Sequence, residues 1–100
     1  MDQENSTHTA PGDLLQTNRT FNLDALRSFV AICDTGSFRR AAMRVHRSAS
    51  AVSLQVAKLE DLLASRLLHR DARRISLTEQ GEVLLAYARR LIDINDEAMA

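Results

Sequence analysis

The chain is short of nearly every residue that marks a specialised scaffold. It has one cysteine (Cys33), one proline (Pro11), three glycines, no tryptophan and no net charge across 100 residues. A lone cysteine excludes an intrachain disulfide framework and a multi-cysteine zinc site. The start, Met1-Asp2-Gln3-Glu4, is acidic and no apolar stretch follows it, so the pattern of a secretory signal is missing. The longest apolar run, Val83 to Ala88, falls far short of the ~20 residues that span a bilayer. No glycine-rich phosphate loop occurs, and the serines have no His/Asp arrangement beside them, so no enzyme is expected. His8, His46 and His69 lack metal-ligand spacing, so neither a metal nor a cofactor is expected in this domain. Cytoplasmic residence and no membrane contact are the corresponding expectations. Zero net charge also counts weakly against nucleic acid, because domains that bind it are usually basic.

What is present is ordinary in amount: 45% apolar and 26% charged residues, enough for one globular domain. Residues 1–20 are polar, contain Pro11 and Gly12, and show no sustained periodicity, which predicts a disordered arm. From Phe21 a helical pattern begins. Asn22 is placed to cap a helix over Leu23 to Asp34, with Leu26, Phe29, Val30 and Cys33 on one face and Gly36 ending it. Cys33 reads as a small core residue. Ser37 caps a second helix, Phe38 to Val45, whose inner face is Phe38, Ala41, Ala42 and Val45. The Ala41-Ala42 pair lets another helix cross closely. His46-Arg47 is the turn. Ser48 caps a third helix to about Ala64, with Val52, Val56, Leu59 and Leu63 towards the core. Ser50, Ser53, Leu54, Ala57, Lys58 and Asp61 point elsewhere.

Leu67-Leu68 and Ile75-Ser76-Leu77 flank the charged segment His69-Arg70-Asp71-Ala72-Arg73-Arg74, which predicts a hairpin. Thr78 then caps a last helix reaching about residue 98, with acidic residues in its first turn as the helix dipole favours. Its apolar residues Leu84, Leu85, Ala88, Leu91, Ile92 and Met99 form a stripe wider than one small domain covers, which predicts a partner helix. The first five are the expected dimerisation residues.

The neutral total hides a segregated charge map. Residues 1–36 and 78–100 each sum to −3, and residues 37–77 carry nine basic against three acidic residues, a sum of +6. The second helix, the third helix and the hairpin all lie in the basic third. This is the layout of a DNA-binding winged helix-turn-helix, with the third helix in the major groove and arginines or helix N-termini on phosphates. The candidate contacts are Ser37, Arg39, Arg47, Ser48, Ser50, Ser53, Leu54, Gln55, Lys58, Arg73 and Arg74, with Arg40 a further backbone candidate. Arg73 and Arg74 in the wing suit a narrow minor groove. Arg70 could instead pair with Glu60 and brace the wing.

Several runs, in order and at fixed spacing, resemble one family. They are Leu23-Asp24-Ala25-Leu26-Arg27-Ser28-Phe29-Val30-Ala31, then Gly36-Ser37-Phe38 with Ala41-Ala42. Ser48, Ala51-Val52-Ser53, Leu59-Glu60, Leu67-Leu68-His69-Arg70 and Leu77-Thr78-Glu79-Gln80-Gly81 follow. The ordered set resembles the N-terminal part of LysR-type transcriptional regulators and extends from about Phe21 to the end. The resemblance implies a mainly α fold: a winged helix-turn-helix (three helices and a two-stranded hairpin wing) over 21–78, then a linker and dimerisation helix over 79–100. It implies a sequence-specific domain that binds an inverted-repeat operator in double-stranded DNA as a homodimer, with helix 48–64 in the major groove and wing 69–75 at the minor groove. It also implies that the chain is a piece of a longer bacterial regulator. The effector-binding domain, through which any small-molecule effector would act and which bears on dimer or tetramer formation, lies outside it. Ala49-Ser50 replaces the Gln-Pro common in the family, and Leu54 stands where Arg is frequent. The rival expectation is a winged-helix protein-interaction module that dimerises through its last helix without DNA. That rival leaves the position of the basic third unexplained.

Overall fold

The computed structural model describes residues 19–71 and 74–100. The expected disordered arm falls almost wholly outside these residues, as does Arg73. The chain forms α1 (Leu23–Thr35), α2 (Phe38–Val45), α3 (Ala49–Leu63), β1 (Leu68–Arg70), β2 (Ile75–Leu77) and α4 (Glu79–Met99). This is the expected winged helix-turn-helix with a long final helix.

Each helix starts behind a side-chain oxygen that accepts the N–H three residues on. Asn22 Oδ1 takes Ala25 N–H at 3.0 Å and Ser37 Oγ takes Arg40 N–H at 3.1 Å. Ser48 Oγ takes Ala51 N–H at 3.1 Å and Thr78 Oγ1 takes Gly81 N–H at 3.0 Å. Each cap satisfies one N–H that has no partner inside its helix. α1 stops at Gly36, whose φ of 70° lies in the left-handed region and whose N–H returns to Ile32 O at 2.7 Å.

α1 is the central helix, packed against α2, α3 and α4. Its buried residues are Ala25, Leu26, Ser28, Phe29, Ala31 and Ile32. Val30 and Cys33, expected on the core face, are only half-buried at its margin. The face is turned towards Ile32, because a helix with neighbours on three sides buries an arc rather than a stripe. Its small residues Ala25, Ser28 and Ala31 are buried with Ala41 and Ala42 of α2 in the same core. Burial pushes the Cys33 thiol up to about 11, so at neutral pH it is a protonated packing group. The buried hydroxyl of Ser28 donates to Gln55 Oε1 on α3, which satisfies a polar group that would otherwise be costly inside. From α3, Val52, Val56 and Leu59 are buried, and Leu63 is half-buried against the same core.

The hairpin pairs Leu68 with Leu77, His69 with Ser76 and Arg70 with Ile75, antiparallel. His69 and Arg70, expected in the turn, are strand residues. Leu67, expected in the first strand, precedes it and is instead a joint. Its N–H donates to Glu60 Oε2 at 2.9 Å, and its carbonyl accepts Thr78 N–H at 3.0 Å. Thr78 Oγ1 also donates to Arg66 O at 2.6 Å. Gly81 passes so close that a Cβ there would lie 2.1 Å from Leu67 O. α3, the hairpin and the start of α4 are thus knotted at one residue.

α4 corrects the expected dimer stripe. Leu84 and Ala88 are buried in the domain's own core, and Leu85 and Ile92 pack against it. Of the five residues expected at a seam, only Leu91 stays exposed. The large apolar residues of α4 that stay exposed are Val83, Tyr87, Leu91, Ile94 and Met99.

Candidate nucleic-acid interface

The helix-turn-helix is α2, the turn at His46-Arg47, and α3. His46 adopts a left-handed conformation with φ of 60°, and Arg47 N–H reaches back to Ala42 O at 2.9 Å, so the turn is tight. It leaves the start of α3 open: Ser48, Ala49 and Ser50 are all exposed. Ser48 Oγ both caps α3 and lies 3.2 Å from Ser50 Oγ. Ser50, Leu54 and Lys58 follow at intervals of four along one exposed face, with Ser53 half-buried at its edge. Leu54 is 56% exposed in that face.

Gln55 lies to one side. It is half-buried, its carbonyl oxygen is taken by Ser28, and it lines a groove with Asn22, Ala25 and Lys58. It serves as a bridge between α3 and α1, a role that the exposed-helix reading of the sequence missed. Ser37 is half-buried and engaged as the α2 cap, and Arg39 and Arg40 are exposed on α2. Arg74 is exposed at the hairpin, and its N–H meets Asp71 Oδ1 at 3.4 Å. Arg73, its expected companion, lies outside the described residues.

The basic residues fall into two groups. Arg47 Nη2 lies 3.2 Å from Asp24 Oδ2, and Arg44 Nη1 lies 3.2 Å from Asp34 Oδ2. Asp34 also takes Arg89 Nη2 from α4 at 2.7 Å, and this hydrogen bond chiefly holds its carboxyl below the usual carboxylate range. Arg27 on α1 grips Asp96 near the end of α4 and lowers that carboxyl in the same way. Arg70 Nη2 sits 3.8 Å from Glu60 Oε1, with its guanidinium 5.3 Å from the Phe38 ring centre. The wing is therefore braced against α2 and α3 as the sequence suggested. Arg39, Arg40, Lys58 and Arg74 carry no ion pair among the described residues, and neither do Arg66, between α3 and the hairpin, and Arg90 on α4. Asp24 and Asp34 had no expected role. Their signal lies only in the tertiary fold, since they are distant in sequence from the arginines they hold.

The sequence profile of the bacterial regulatory helix-turn-helix proteins of the lysR family matches residues 23–82, from the first residue of α1 to the first turn of α4. The chain belongs to the LysR family. Among curated relatives, this LysR-type domain is 45% identical over 82 residues to the HTH-type transcriptional regulator DgdR of Burkholderia cepacia, covering 82% of the chain and 28% of DgdR. It is 47% identical over 79 residues to the HTH-type transcriptional regulator PecT of Dickeya dadantii, covering 79% of the chain and 25% of PecT. The chain spans about a quarter of the length of these relatives. They are transcriptional regulators and not enzymes. Among solved structures it is similar to an OxyR mutant of Corynebacterium glutamicum, with TM-score 0.77 and 30% identity over 80% of this chain and 26% of that one. It is also similar to the BenM DNA-binding domain in complex with benA site 1 DNA, with TM-score 0.73 and 32% identity over 78% of this chain and 88% of that one. Among the described residues, no LysR-domain helix is long and apolar enough to cross a membrane.

Proposed function

We propose that this LysR-type domain binds double-stranded DNA as a homodimer at an inverted-repeat operator. In this reading α3 enters the major groove from its open N-terminal end, and the hairpin follows the backbone to the adjacent minor groove. Arg39, Arg40, Lys58 and Arg74 meet phosphates, as do the N-termini of α2 and α3 beside Ser37 and Ser48. Ser50 and Ser53 are the polar residues nearest the bases. The domain needs no cofactor for this. A small-molecule effector would act through a further domain of a longer cytoplasmic regulator.

The observation that carries the reading is an overlap. The chain shares its fold and about a third of its aligned residues with a domain solved on DNA, and Arg39, Arg40, Lys58 and Arg74, which carry no ion pair among the described residues, sit on the elements that a winged helix presents to a duplex. The dimer seam in this reading is the exposed α4 stripe Val83, Tyr87, Leu91 and Ile94, spaced four, four and three, which keeps one helical face. An apolar stripe of that length supports an antiparallel twin helix.

The test is binding to duplex DNA across a salt series. Each neutralised phosphate contributes ~0.9 to the slope of log affinity against log salt, so four cations in each of two copies give a slope up to about −7. An affinity independent of salt, or no binding at low salt, refutes DNA binding and favours a protein-interaction module. Arg39→Ala with Arg74→Ala flattens the slope if these residues meet phosphates.

A further inference from the structure

Resting on the proposed DNA binding, we infer that Leu54 sets sequence preference by packing on a thymine methyl. The first two turns of α3 carry almost nothing that can form a bidentate bond to a base. Residues 49–56 are Ala, Ser, Ala, Val, Ser, Leu, Gln and Val. Val52 and Val56 are buried, and the Gln55 carbonyl oxygen is engaged by Ser28 at the α1 junction. The bidentate pairs that read guanine and adenine come from Arg, Lys, Asn and Gln. Ser50 and Ser53 can bond to several bases and so discriminate weakly, and the Ser50 hydroxyl is already within 3.2 Å of Ser48 Oγ.

One large group remains on that face. Leu54 is 56% exposed, lies between Ser50 and Lys58 one turn away on either side, and is half-flanked by Ser53. An isobutyl group held in a cationic surface has little to gain from phosphates. In the major groove the apolar feature on a base edge is the thymine C5 methyl. A leucine at the centre of the reading face is therefore complementary to an A·T pair whose methyl faces α3. The surrounding charge argues for DNA over an apolar protein surface, since Arg39, Arg40 and Lys58 are exposed on the same helix-turn-helix.

The experiment starts with duplexes selected by the 100-residue chain from a random library. In a selected site, each thymine is replaced in turn by deoxyuridine, which removes the methyl and leaves base pairing intact. Binding is then measured for the wild type and for Leu54→Ala, whose fold is checked by circular dichroism. One thymine in each half-site is expected to give a roughly fourfold loss with the wild type, the factor that burial of one methyl yields. With Leu54→Ala the same replacement should change little. Deoxyuridine replacements that never matter, or that matter equally for both proteins, overturn the assignment while leaving DNA binding intact. A Leu54→Ala variant that keeps its site preference but loses self-association places Leu54 in a protein contact and also overturns it. Failure to select any duplex removes the DNA-binding reading itself.

Discussion

Gly81→Ala sets helix propensity against packing, and the two have opposite signs. Gly81 is in the first turn of α4, where replacing glycine by alanine in a helix is worth about 1 kcal/mol of added stability. The structure predicts a loss. An alanine Cβ would stand 2.1 Å from Leu67 O and 3.0 Å from Leu77 Cδ2. The leucine side chain can yield, but the carbonyl is backbone and is fixed by Thr78 N–H at 3.0 Å. Restoring an ordinary contact of at least 3.4 Å from 2.1 Å requires about 1.3 Å of relative movement between α4 and the strand lead-in, which breaks that hydrogen bond and disturbs the Thr78 cap. A buried group left without its partner costs about 1–3 kcal/mol, and overpacking a further 1–3 kcal/mol. Less the propensity gain, the net destabilisation is about 1–5 kcal/mol, at its middle already a large share of the ~5–15 kcal/mol that holds a domain of this size.

Urea unfolding followed by circular dichroism, at one fixed protein concentration, measures this. The expected thermal counterpart is a Tm at least about 4 °C lower, and more than about 10 °C lower at the middle of that range, since about 1 kcal/mol moves a domain of this size by 4–8 °C. Gly36→Ala is the companion variant. Its Cβ would meet nothing within 4 Å, so only the left-handed φ of 70° opposes it, at a cost of about 1–2 kcal/mol. If Gly81→Ala is as stable as the parent, or costs no more than Gly36→Ala, the close passage at Leu67 does not constrain the fold and the reasoning fails.

Glu60→Ala and Glu60→Gln should separate in the same assay. Alanine leaves the buried Leu67 N–H without an acceptor and costs about 2–4 kcal/mol, whereas glutamine keeps an amide oxygen for it and loses only the half-exposed Arg70 pair, worth about 1 kcal/mol or less. Equal losses would show that the Leu67 bond contributes nothing. Tyr87→Asp and Leu84→Asp should separate in a different way. Sedimentation should show Tyr87→Asp folded but monomeric, because Tyr87 is 53% exposed on the proposed seam, while circular dichroism should show Leu84→Asp unfolded, because Leu84 lies in the core. An intact Tyr87→Asp dimer would exclude that seam.

The helix starts are legible in the sequence because capping is local. Asn22, Ser37, Ser48 and Thr78 each need only a backbone N–H three residues on, and all four bonds form. What is not legible depends on where helices dock. α4 has apolar residues around more than half its circumference, and periodicity alone cannot divide them between the domain's own core and a partner. The division follows from the knot at Leu67 and Gly81, which sets the rotation of α4 and turns Leu84 and Ala88 inward, Val83 and Tyr87 outward. The same limit applies to Ser28 and Gln55. Each is a polar residue on its own helix, and only the crossing of α1 and α3 joins the buried Ser28 to the half-buried Gln55. Glu60 and Arg70 are the opposite case, since two charged residues that flank the strand lead-in could be paired from sequence order alone.

The charge map changes meaning once the pairs are known. The acidic segments on either side of the basic third do more than cancel it in the total. Asp24 and Asp34 of α1 hold Arg47 and Arg44, and Asp34 and Asp96 tie α1 to α4 through Arg89 and Arg27. These are surface pairs, each worth about 0–1 kcal/mol, so they orient side chains more than they stabilise the fold. Their electrostatic effect is larger. An arginine already beside a carboxylate must give up that partner to neutralise a phosphate, so its net gain on DNA is smaller than that of a free cation. Arg39, Arg40, Lys58 and Arg74 have no such partner among the described residues. Arg66 and Arg90 are unpaired among the described residues as well, but only these four lie on the elements that face DNA in the proposed pose, so four per copy is the count that should govern the salt dependence. The nine basic residues of the segment overstate it, and the zero of the whole chain conceals it.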